Sequence, residues 1–257
     1  MVGLVGLDST EREVYSRQIM MKAIGEAGQK ALAGASVFVV GCGGLGSPAL
    51  YYLAAMGIGR LGLCDGDVVS LSNLNRQLLY TMEDIGKPKA VAAEKRLLAL
   101  NPRLKTTVYN CFLDKDLAGA VLPGYDIAVD CLDNFEDRFI LNDACVKAGI
   151  PFVHAGIGEF YGQLMTVTPG KGPCLRCLFP DGNQKKEQAK LFGVIGATAG
   201  VIGSLQALEV AKYLLGLPVS NEGLAVYDGL NMCLERIAME ASPECICRQA
   251  LPPPAVF

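Results

Sequence analysis

The sequence has little of what several common functions require. It contains one histidine, no run of basic residues and no uninterrupted apolar stretch of membrane-spanning length. A formal net charge of -3 argues against a nucleic-acid surface, which depends on lysine and arginine contacts to phosphate. Glycine, glutamine and charged residues interrupt the most apolar helical segment, residues 197–215, and the first residues lack the apolar region of a signal peptide. We therefore expect a cytoplasmic protein that does not bind membrane and has no nucleic-acid surface held by phosphate contacts.

The chain also lacks the Gly-Lys-Ser/Thr sequence of a Walker phosphate-binding loop. It has instead a glycine turn, Gly41-Cys42-Gly43-Gly44-Leu45-Gly46, which follows the apolar run 37–40 and leads into a helical segment. At such a strand-to-helix junction, free backbone N–H groups and the helix dipole attract phosphate. The turn alone also fits a dinucleotide site, in which an acidic residue about 20 positions further on binds a ribose, and Asp65 fits that role.

Two cationic side chains downstream of Asp65 favour a nucleoside triphosphate. Arg76 and Lys89 could neutralise the additional charge of a triphosphate, which exceeds that of a dinucleotide pyrophosphate. One cation about 4 Å from a phosphate oxygen contributes on the order of 4 kcal/mol before desolvation at an effective dielectric near 20. An NAD-dependent oxidoreductase, the main alternative, would leave both cations without a function.

The ten cysteines fall into two groups. Six have mostly apolar neighbours and are predicted to be buried, reduced core residues. The other four form Cys174-x-x-Cys177 and Cys245-x-Cys247 in segments flanked by glycine or proline, an arrangement suited to tetrahedral zinc binding by thiolates. Free thiols are the alternative. Four protein ligands would leave no open position on the metal, so the predicted role of the zinc is structural.

The alternation of apolar and helical segments predicts an α/β fold. We expect strands at 36–40, 60–65, 104–110, 125–131 and 151–155, and helices at 45–56, 87–100, 134–148 and 197–215. They form a Rossmann-like, doubly wound, mostly parallel sheet, extended by antiparallel strands at 163–167, 224–227 and 232–239 and preceded by an N-terminal helical arm at 9–33. The 257 residues are expected to form one domain with a nucleotide-binding half at 35–156, and residues 181–195 are predicted to be a mobile loop.

Asp133 is a candidate magnesium ligand because it follows the apolar strand 127–129 at a carboxyl edge, where open α/β sheets bind ligands. The same residues, Asp133-Asn134, could instead cap the next helix. Asp130 and Asp67 are weaker candidates, and Asp67 could simply cap a turn. His154 lies in an apolar strand, so we predict a satisfied core residue rather than a catalyst.

Together these motifs resemble the ThiF/MoeB/HesA family, relatives of the adenylating half of ubiquitin-activating enzymes. The resemblance extends over most of the chain. In chain order, the motifs that carry it are Tyr15-Ser16-Arg17-Gln18-Ile19, the glycine turn, Asp65-x-Asp67, Asn73-x-x-Arg76-Gln77, Ile85-Gly86-Lys87-Pro88-Lys89, Asp130-Cys131-Leu132-Asp133-Asn134, Gly172-Pro173-Cys174-Leu175-Arg176-Cys177 and Gly200-Val201-Ile202-Gly203-Ser204-Leu205-Gln206-Ala207.

The resemblance implies a role for each site residue. Asp65 binds the ribose hydroxyls of ATP, and Asp133 holds Mg²⁺. Arg17, on the N-terminal arm, reaches the triphosphate of the neighbouring subunit in a homodimer. The remaining ATP contacts it implies are Gly41, Gly43, Gly44, Gly46, Asp67, Asn73, Arg76, Gln77 and Lys89, of which Arg76 and Lys89 are also catalytic. In the family, two cysteine pairs hold zinc, and the second pair normally has two intervening residues rather than one.

The implied reaction is adenylation of the C-terminal glycine carboxylate of a small ubiquitin-like sulfur-carrier protein, which residues 157–257 would bind. Many relatives carry a cysteine in the loop before the Gly-Val-Ile-Gly segment, whereas this chain has none between Cys177 and Cys233 and has Ala189 near the expected place. We therefore expect adenylation without a thioester step. No rhodanese-like segment follows residue 257, so a separate protein is expected to deliver sulfur. A tRNA base or a peptide is an alternative acceptor.

Overall fold

The computed structural model describes residues 7–180 and 193–248. Ala189 and most of the loop predicted at 181–195 lie outside the described residues. The strands are β1 Ser36–Val40, β2 Arg60–Cys64, β3 Lys105–Tyr109, β4 Ile127–Asp130, β5 Phe152–Gly158, β6 Tyr161–Val167, β7 Gly223–Asp228 and β8 Cys233–Ala238. The helices are α1 Ser9–Val14, α2 Ser16–Ile19, α3 Gly25–Gly34, α4 Gly46–Ala55, α5 Lys89–Leu100, α6 Lys115–Val121, α7 Phe135–Ala148, α8 Leu175–Leu178 and α9 Gly196–Leu214.

One sheet of eight strands, in the order β3-β2-β1-β4-β5-β6-β7-β8, runs through the molecule. The pairs among the first five strands are parallel, and those from β5 to β8 are antiparallel. The predicted Rossmann-like fold and its antiparallel extension are therefore confirmed. The predicted end of the nucleotide-binding half, residue 156, lies inside β5, which continues to Gly158 and pairs with β6.

The core lies on both faces of the sheet. Along β1, Val37 and Val39 belong to one buried cluster, while Phe38 and Val40 belong to the other. A parallel strand covered on both sides needs apolar residues at every position, which explains the unbroken run 37–40. The predicted core position of His154 is confirmed, since the residue is 0% exposed. Within the described ranges, no helix combines the length and the hydropathy of a membrane span.

Candidate active site

The carboxyl ends of three adjacent parallel strands meet at one edge of the sheet. β1 leads into the glycine turn, β2 is followed by Asp65, and β4 is followed by the loop that carries Asp133. These strands are neighbours in the order β2-β1-β4, so the predicted nucleotide residues that follow them lie along one edge. This is the edge at which open α/β sheets bind ligands.

Two glycines of the turn are required by the fold. Gly41 has a φ of +94°, and a Cβ there would lie 2.5 Å from the carbonyl oxygen of Cys131. A Cβ on Gly46 would overlap the carbonyl oxygen of Gly41. Any side chain at these positions would displace the backbone, because both obstacles are main-chain atoms.

The other two glycines leave a space that a side chain could fill. A Cβ on Gly43 would lie 3.4 Å from Nε2 of Gln77, and one on Gly44 would lie 3.6 Å from the Arg76 side chain, both ordinary contacts. Gln77 is 4% exposed, and its Oε1 has no hydrogen-bond partner among the described residues. Phosphate oxygens only accept hydrogen bonds, so the Gln77 atom that suits a phosphate is the Nε2 donor, which faces Gly43 and forms a cradle with the open turn.

Asp65 is bound to the backbone of the same edge. Its Oδ2 accepts from the N–H of Cys42 at 2.7 Å, and its Oδ1 accepts from the N–H of Asp67 at 2.8 Å. Burial raises the pKa of the Asp65 carboxyl above its ordinary value. These two hydrogen bonds fix the carboxylate against the glycine turn, and each oxygen keeps acceptor capacity for a ligand hydroxyl.

Lys89 and Asp67 are each predicted to contact ATP, and in the structure they form an ion pair, with Nζ of Lys89 2.8 Å from Oδ2 of Asp67. The Lys89 side chain is 8% exposed and that of Asp67 is 55% exposed. The Lys89 N–H also donates to the Asp67 carbonyl at 2.9 Å. The charge of Lys89 acts on the neighbouring Asp65 carboxyl, and the pairing with Asp67 would let Lys89 meet an anionic ligand without the cost of burying an unpaired cation.

Asn73 and Arg76 lie in a compact segment beside the start of α9. The Asn73 Oδ1 accepts from the N–H of Ser70 at 3.0 Å. Arg76 donates through Nη1 to the carbonyl oxygen of Ser72 at 2.9 Å. A Cβ on Gly196, the first residue of α9, would meet the backbone of this segment. The close approach fixes Arg76 next to Gly44.

Asp133 and Asn134, adjacent in the chain, have different environments. The Asn134 side chain is the cap of α7 and accepts from the N–H of Asp137 at 2.9 Å. Asp133 is exposed, and its carboxylate makes no hydrogen bond to another described residue. The capping alternative is therefore correct for Asn134 and wrong for Asp133, whose carboxylate remains available to a ligand.

Asp130 is not available to a ligand, in contrast with Asp133. It is 0% exposed, and its Oδ2 lies 2.6 Å from Nδ1 of His154. Arg138, which the sequence analysis did not single out, lies 3.7 Å from the same oxygen through Nε. The local sequence around Arg138 does not indicate this ion pair, so the pair could not be predicted from the sequence.

Arg17 is not brought to the site of its own chain. It is exposed on α2, and the side chain of its neighbour Gln18 donates to the carbonyl oxygen of Met56 at 3.1 Å. Met56 directly follows α4, whose first residue ends the glycine turn, and the ten residues of α4 span about 15 Å. Arg17 therefore lies near the opposite end of α4 from the glycine turn.

The four predicted zinc ligands come together although about 70 residues separate the two pairs. The sulfur atoms of Cys174, Cys177, Cys245 and Cys247 all lie within 4.8 Å of one another. Sγ of Cys174 is 3.5 Å from that of Cys245, and Sγ of Cys177 is 3.6 Å from that of Cys247. Four thiolates around a tetrahedral zinc at about 2.3 Å would lie about 3.8 Å apart, so the cluster has the size of such a site. Burial raises the pKa of the Cys174 thiol to about 12.

Comparisons with known proteins show which family the chain is similar to. A profile of the ThiF family matches residues 15–248. The SAMP-activating enzyme E1 of Haloferax volcanii is 41% identical over 244 residues, which cover 94% of this chain and 90% of the relative. The sulfur carrier protein adenylyltransferase of Thermus thermophilus is 43% identical over 246 residues, covering 91% of this chain and 90% of the relative.

Among solved structures, the crystal structure of Escherichia coli MccB with ATP matches with a TM-score of 0.79 at 27% identity. The match covers 90% of this chain and 73% of that chain. The family predicted from the sequence motifs is thus confirmed: the chain belongs to the ThiF family.

Proposed function

We propose that this chain uses ATP to adenylate the C-terminal glycine carboxylate of a small ubiquitin-like sulfur-carrier protein, releasing pyrophosphate. The observation that carries the proposal is the open backbone at Gly43 and Gly44, which the Nε2 donor of Gln77 faces. This cradle lies at the same sheet edge as Asp65 and Asp133. The names of the two relatives, an activating enzyme and a sulfur carrier protein adenylyltransferase, support the same activity.

The site residues promote the reaction by aligning the two substrates and by stabilising negative charge on the phosphates. A carboxylate is already ionised at neutral pH, so attack on the α-phosphate needs no side-chain base. Backbone N–H groups of the glycine turn, with Asn73, Gln77 and Arg76, hold the phosphates, and Asp65 holds the ribose. Lys89 and Arg76 stabilise the charge that develops on the departing pyrophosphate.

Two metals are part of the proposal. Asp133 offers an exposed carboxylate oxygen, the ligand type that Mg²⁺ prefers. Bound there, the ion would supply positive charge beside the phosphates. The four-cysteine cluster fits structural Zn²⁺, which would join the segment of α8 to the turn at Ile246–Arg248.

We further propose a homodimer in which Arg17 serves the partner's site. The arm that carries Arg17 is anchored at the far end of α4 from its own glycine turn, so a second subunit is the simplest source of this cation. Exposed apolar side chains on the neighbouring helices α4 and α9, Tyr52 at 55% and Leu208 at 53%, are available for such a contact.

The carrier is proposed to dock at the β8 side of the sheet. β6 begins and β7 ends at the carboxyl edge, and exposed apolar side chains gather there: Phe160, Leu230, Met232 and Leu234. A carrier bound on this patch could extend its tail along the edge toward Asp133. Because no cysteine lies between Cys177 and Cys233, we propose adenylation without a thioester and a separate sulfur donor.

Exchange of labelled pyrophosphate into ATP tests the proposal. We expect exchange with a carrier that ends in Gly-Gly and none with the same carrier lacking its last glycine. A short peptide or a tRNA in place of the carrier tests the other acceptors, and NAD binding tests the oxidoreductase. Equal exchange with the intact and the truncated carrier would refute the proposal. So would the absence of exchange with every carrier.

Asp133→Ala should reduce exchange at least about 100-fold without changing stability, since it removes a charged ligand in an exposed loop. Asp116→Ala, an exposed carboxylate on α6, is the matched control and should be silent. Asn134→Ala should instead lower the free energy of unfolding by about 1 kcal/mol, because it removes the cap of α7. Equal exchange by the Asp133→Ala and Asp116→Ala proteins would refute the role of Asp133.

A further inference from the structure

A buried polar network lies directly behind the loop that carries Asp133. The N–H of Leu132 donates to Oδ1 of Asp130 at 3.0 Å, and Nη2 of Arg138 donates to the Leu132 carbonyl oxygen at 2.5 Å. Asp130 is 0% exposed and Arg138 is 7% exposed. Buried charged side chains therefore hold both backbone polar groups of the residue next to Asp133.

His154 orients Asp130 in turn. Its Nδ1 lies 2.6 Å from Oδ2 of Asp130, and its Nε2 lies 3.3 Å from Nε2 of Gln163. The Gln163 amide nitrogen can only donate, so the ring proton is on Nδ1 and is donated to Asp130. Asp130 and His154 are register partners in the parallel pair β4–β5, which brings the two side chains together.

Further hydrogen bonds tie this network to three elements. Arg138, on α7, also donates through Nη2 to the carbonyl oxygen of Ala155 on β5 at 3.0 Å. Gln206, on α9, donates to the backbone oxygens of Asp130 at 2.7 Å and of Val153 at 3.2 Å. The carboxylate of Asp130 thus has a fixed orientation, and so does the loop that it holds.

Stability alone does not explain buried charges at this place, because apolar residues of similar volume often stabilise a core as well as a buried ion pair does. The need to orient the nearby Asp133 carboxylate does explain these buried charges. A metal-binding carboxylate must be held within about 0.5 Å of its productive position, and residues behind the ligand commonly hold it there. Leu132 is the link, since its backbone adjoins Asp133 and is held from both sides.

We propose that Asp130, Arg138 and His154 are positioning residues that fix the backbone at Leu132 and thereby place the Asp133 carboxylate for a divalent cation bound with ATP. The proposal rests on the proposed function, in which Asp133 is the metal ligand. It assigns the single histidine of the chain to the site without making it a catalytic residue.

The test replaces His154 in two ways. His154→Leu fills the space but removes the donor to Asp130, whereas His154→Asn keeps an N–H near the position of Nδ1. Mn²⁺ binding is titrated by electron paramagnetic resonance with the intact protein and a non-hydrolysable ATP analogue, and nucleotide affinity is measured separately without metal. We expect His154→Leu to weaken Mn²⁺ binding roughly tenfold at unchanged metal-free nucleotide affinity, and His154→Asn to stay within about threefold of the wild type.

A folded His154→Leu protein with the wild-type Mn²⁺ titration would overturn the proposal, and so would equal losses in both variants. If His154→Leu does not fold, Arg138→Lys decides: it keeps the charge but cannot hold Leu132 and Ala155 together, so the same weakening is expected and an unchanged titration overturns the proposal. Failure of the proposed function is separate, since it would appear as wild-type protein that binds Mn²⁺ with nucleotide yet exchanges no pyrophosphate.

Discussion

At the scale of single residues, the glycines of one turn meet different physical requirements. Gly41 has a positive φ, and a Cβ on either Gly41 or Gly46 would collide with backbone. Gly43 and Gly44 have neither constraint, and a Cβ there would face Gln77 and Arg76 at ordinary contact distances. The first pair is needed by the folded chain itself, and we interpret the second pair as room for phosphate.

Gly44→Ala should therefore weaken ATP binding at least about tenfold while leaving the thermal midpoint nearly unchanged. Gly41→Ala is the contrast, and we expect it to destabilise the fold by roughly 1–3 kcal/mol because it forces a side chain into the left-handed region. Calorimetric titration with ATP and thermal unfolding of both variants make the comparison. Normal ATP affinity in Gly44→Ala would contradict our interpretation of the turn.

Burial lowers the pKa of His154 below its ordinary value, and its hydrogen bond to Asp130 only partly opposes this. As the pH falls below about 6.5, the unfolded chain binds a proton at this position before the folded chain does. The contribution of His154 to the free energy of unfolding is thus complete above about pH 6.5. It is lost as the pH falls, by at most about 1.4 kcal/mol per pH unit.

Urea unfolding at about pH 7.5 and about pH 5.5 should show a larger loss of stability for the wild type than for His154→Asn. The chain has no other histidine, so no second imidazole contributes to the difference between the two proteins. Equal losses in the two proteins would mean that the ring titrates alike in the folded and unfolded states.

At the scale of elements, most of the sheet was predictable and most of the side-chain pairing was not. β1 and β4 are apolar runs that end at glycine or aspartate, so their type and position follow from local pattern. α6 was missed because its seven residues include Gly119 and span only two turns. The pairs Asp67–Lys89 and Asp130–His154 depend on sheet and loop geometry, which no local pattern of residues contains.

The zinc proposal also belongs to this scale, because the cluster joins α8 to the turn at Ile246–Arg248. Purified protein should contain one zinc per chain. Cys247→Ser should lower that content and lower the thermal midpoint by at least about 3 °C, while Cys111→Ser should change neither. Cys111 lies outside the cluster and is exposed, so its predicted burial is wrong. Elemental analysis and thermal unfolding measure both, and zinc-free wild-type protein of full stability would contradict the assignment.

At the scale of the whole molecule, the position of Arg17 predicts a result that a monomer cannot give. Arg17→Ala and Asp133→Ala should each be nearly inactive in pyrophosphate exchange. Mixed in equal amounts and allowed to exchange subunits, they should recover about one quarter of wild-type activity, since half of the dimers are mixed and each of these has one intact site. No recovery, with mixed dimers shown to form, would place Arg17 in the site of its own chain or outside it.

The central claim is that an incoming carboxylate attacks the α-phosphate of ATP at the edge formed by the glycine turn, Asp65 and Asp133. Its most direct test is the fate of label when a carrier protein ending in glycine is incubated with the chain and with ATP labelled at either the α- or the γ-phosphate. We predict that the carrier acquires label from α-labelled ATP only, and that Asp133→Ala abolishes the transfer. Label from the γ-phosphate, or an unlabelled carrier with ATP demonstrably bound, would contradict the claim.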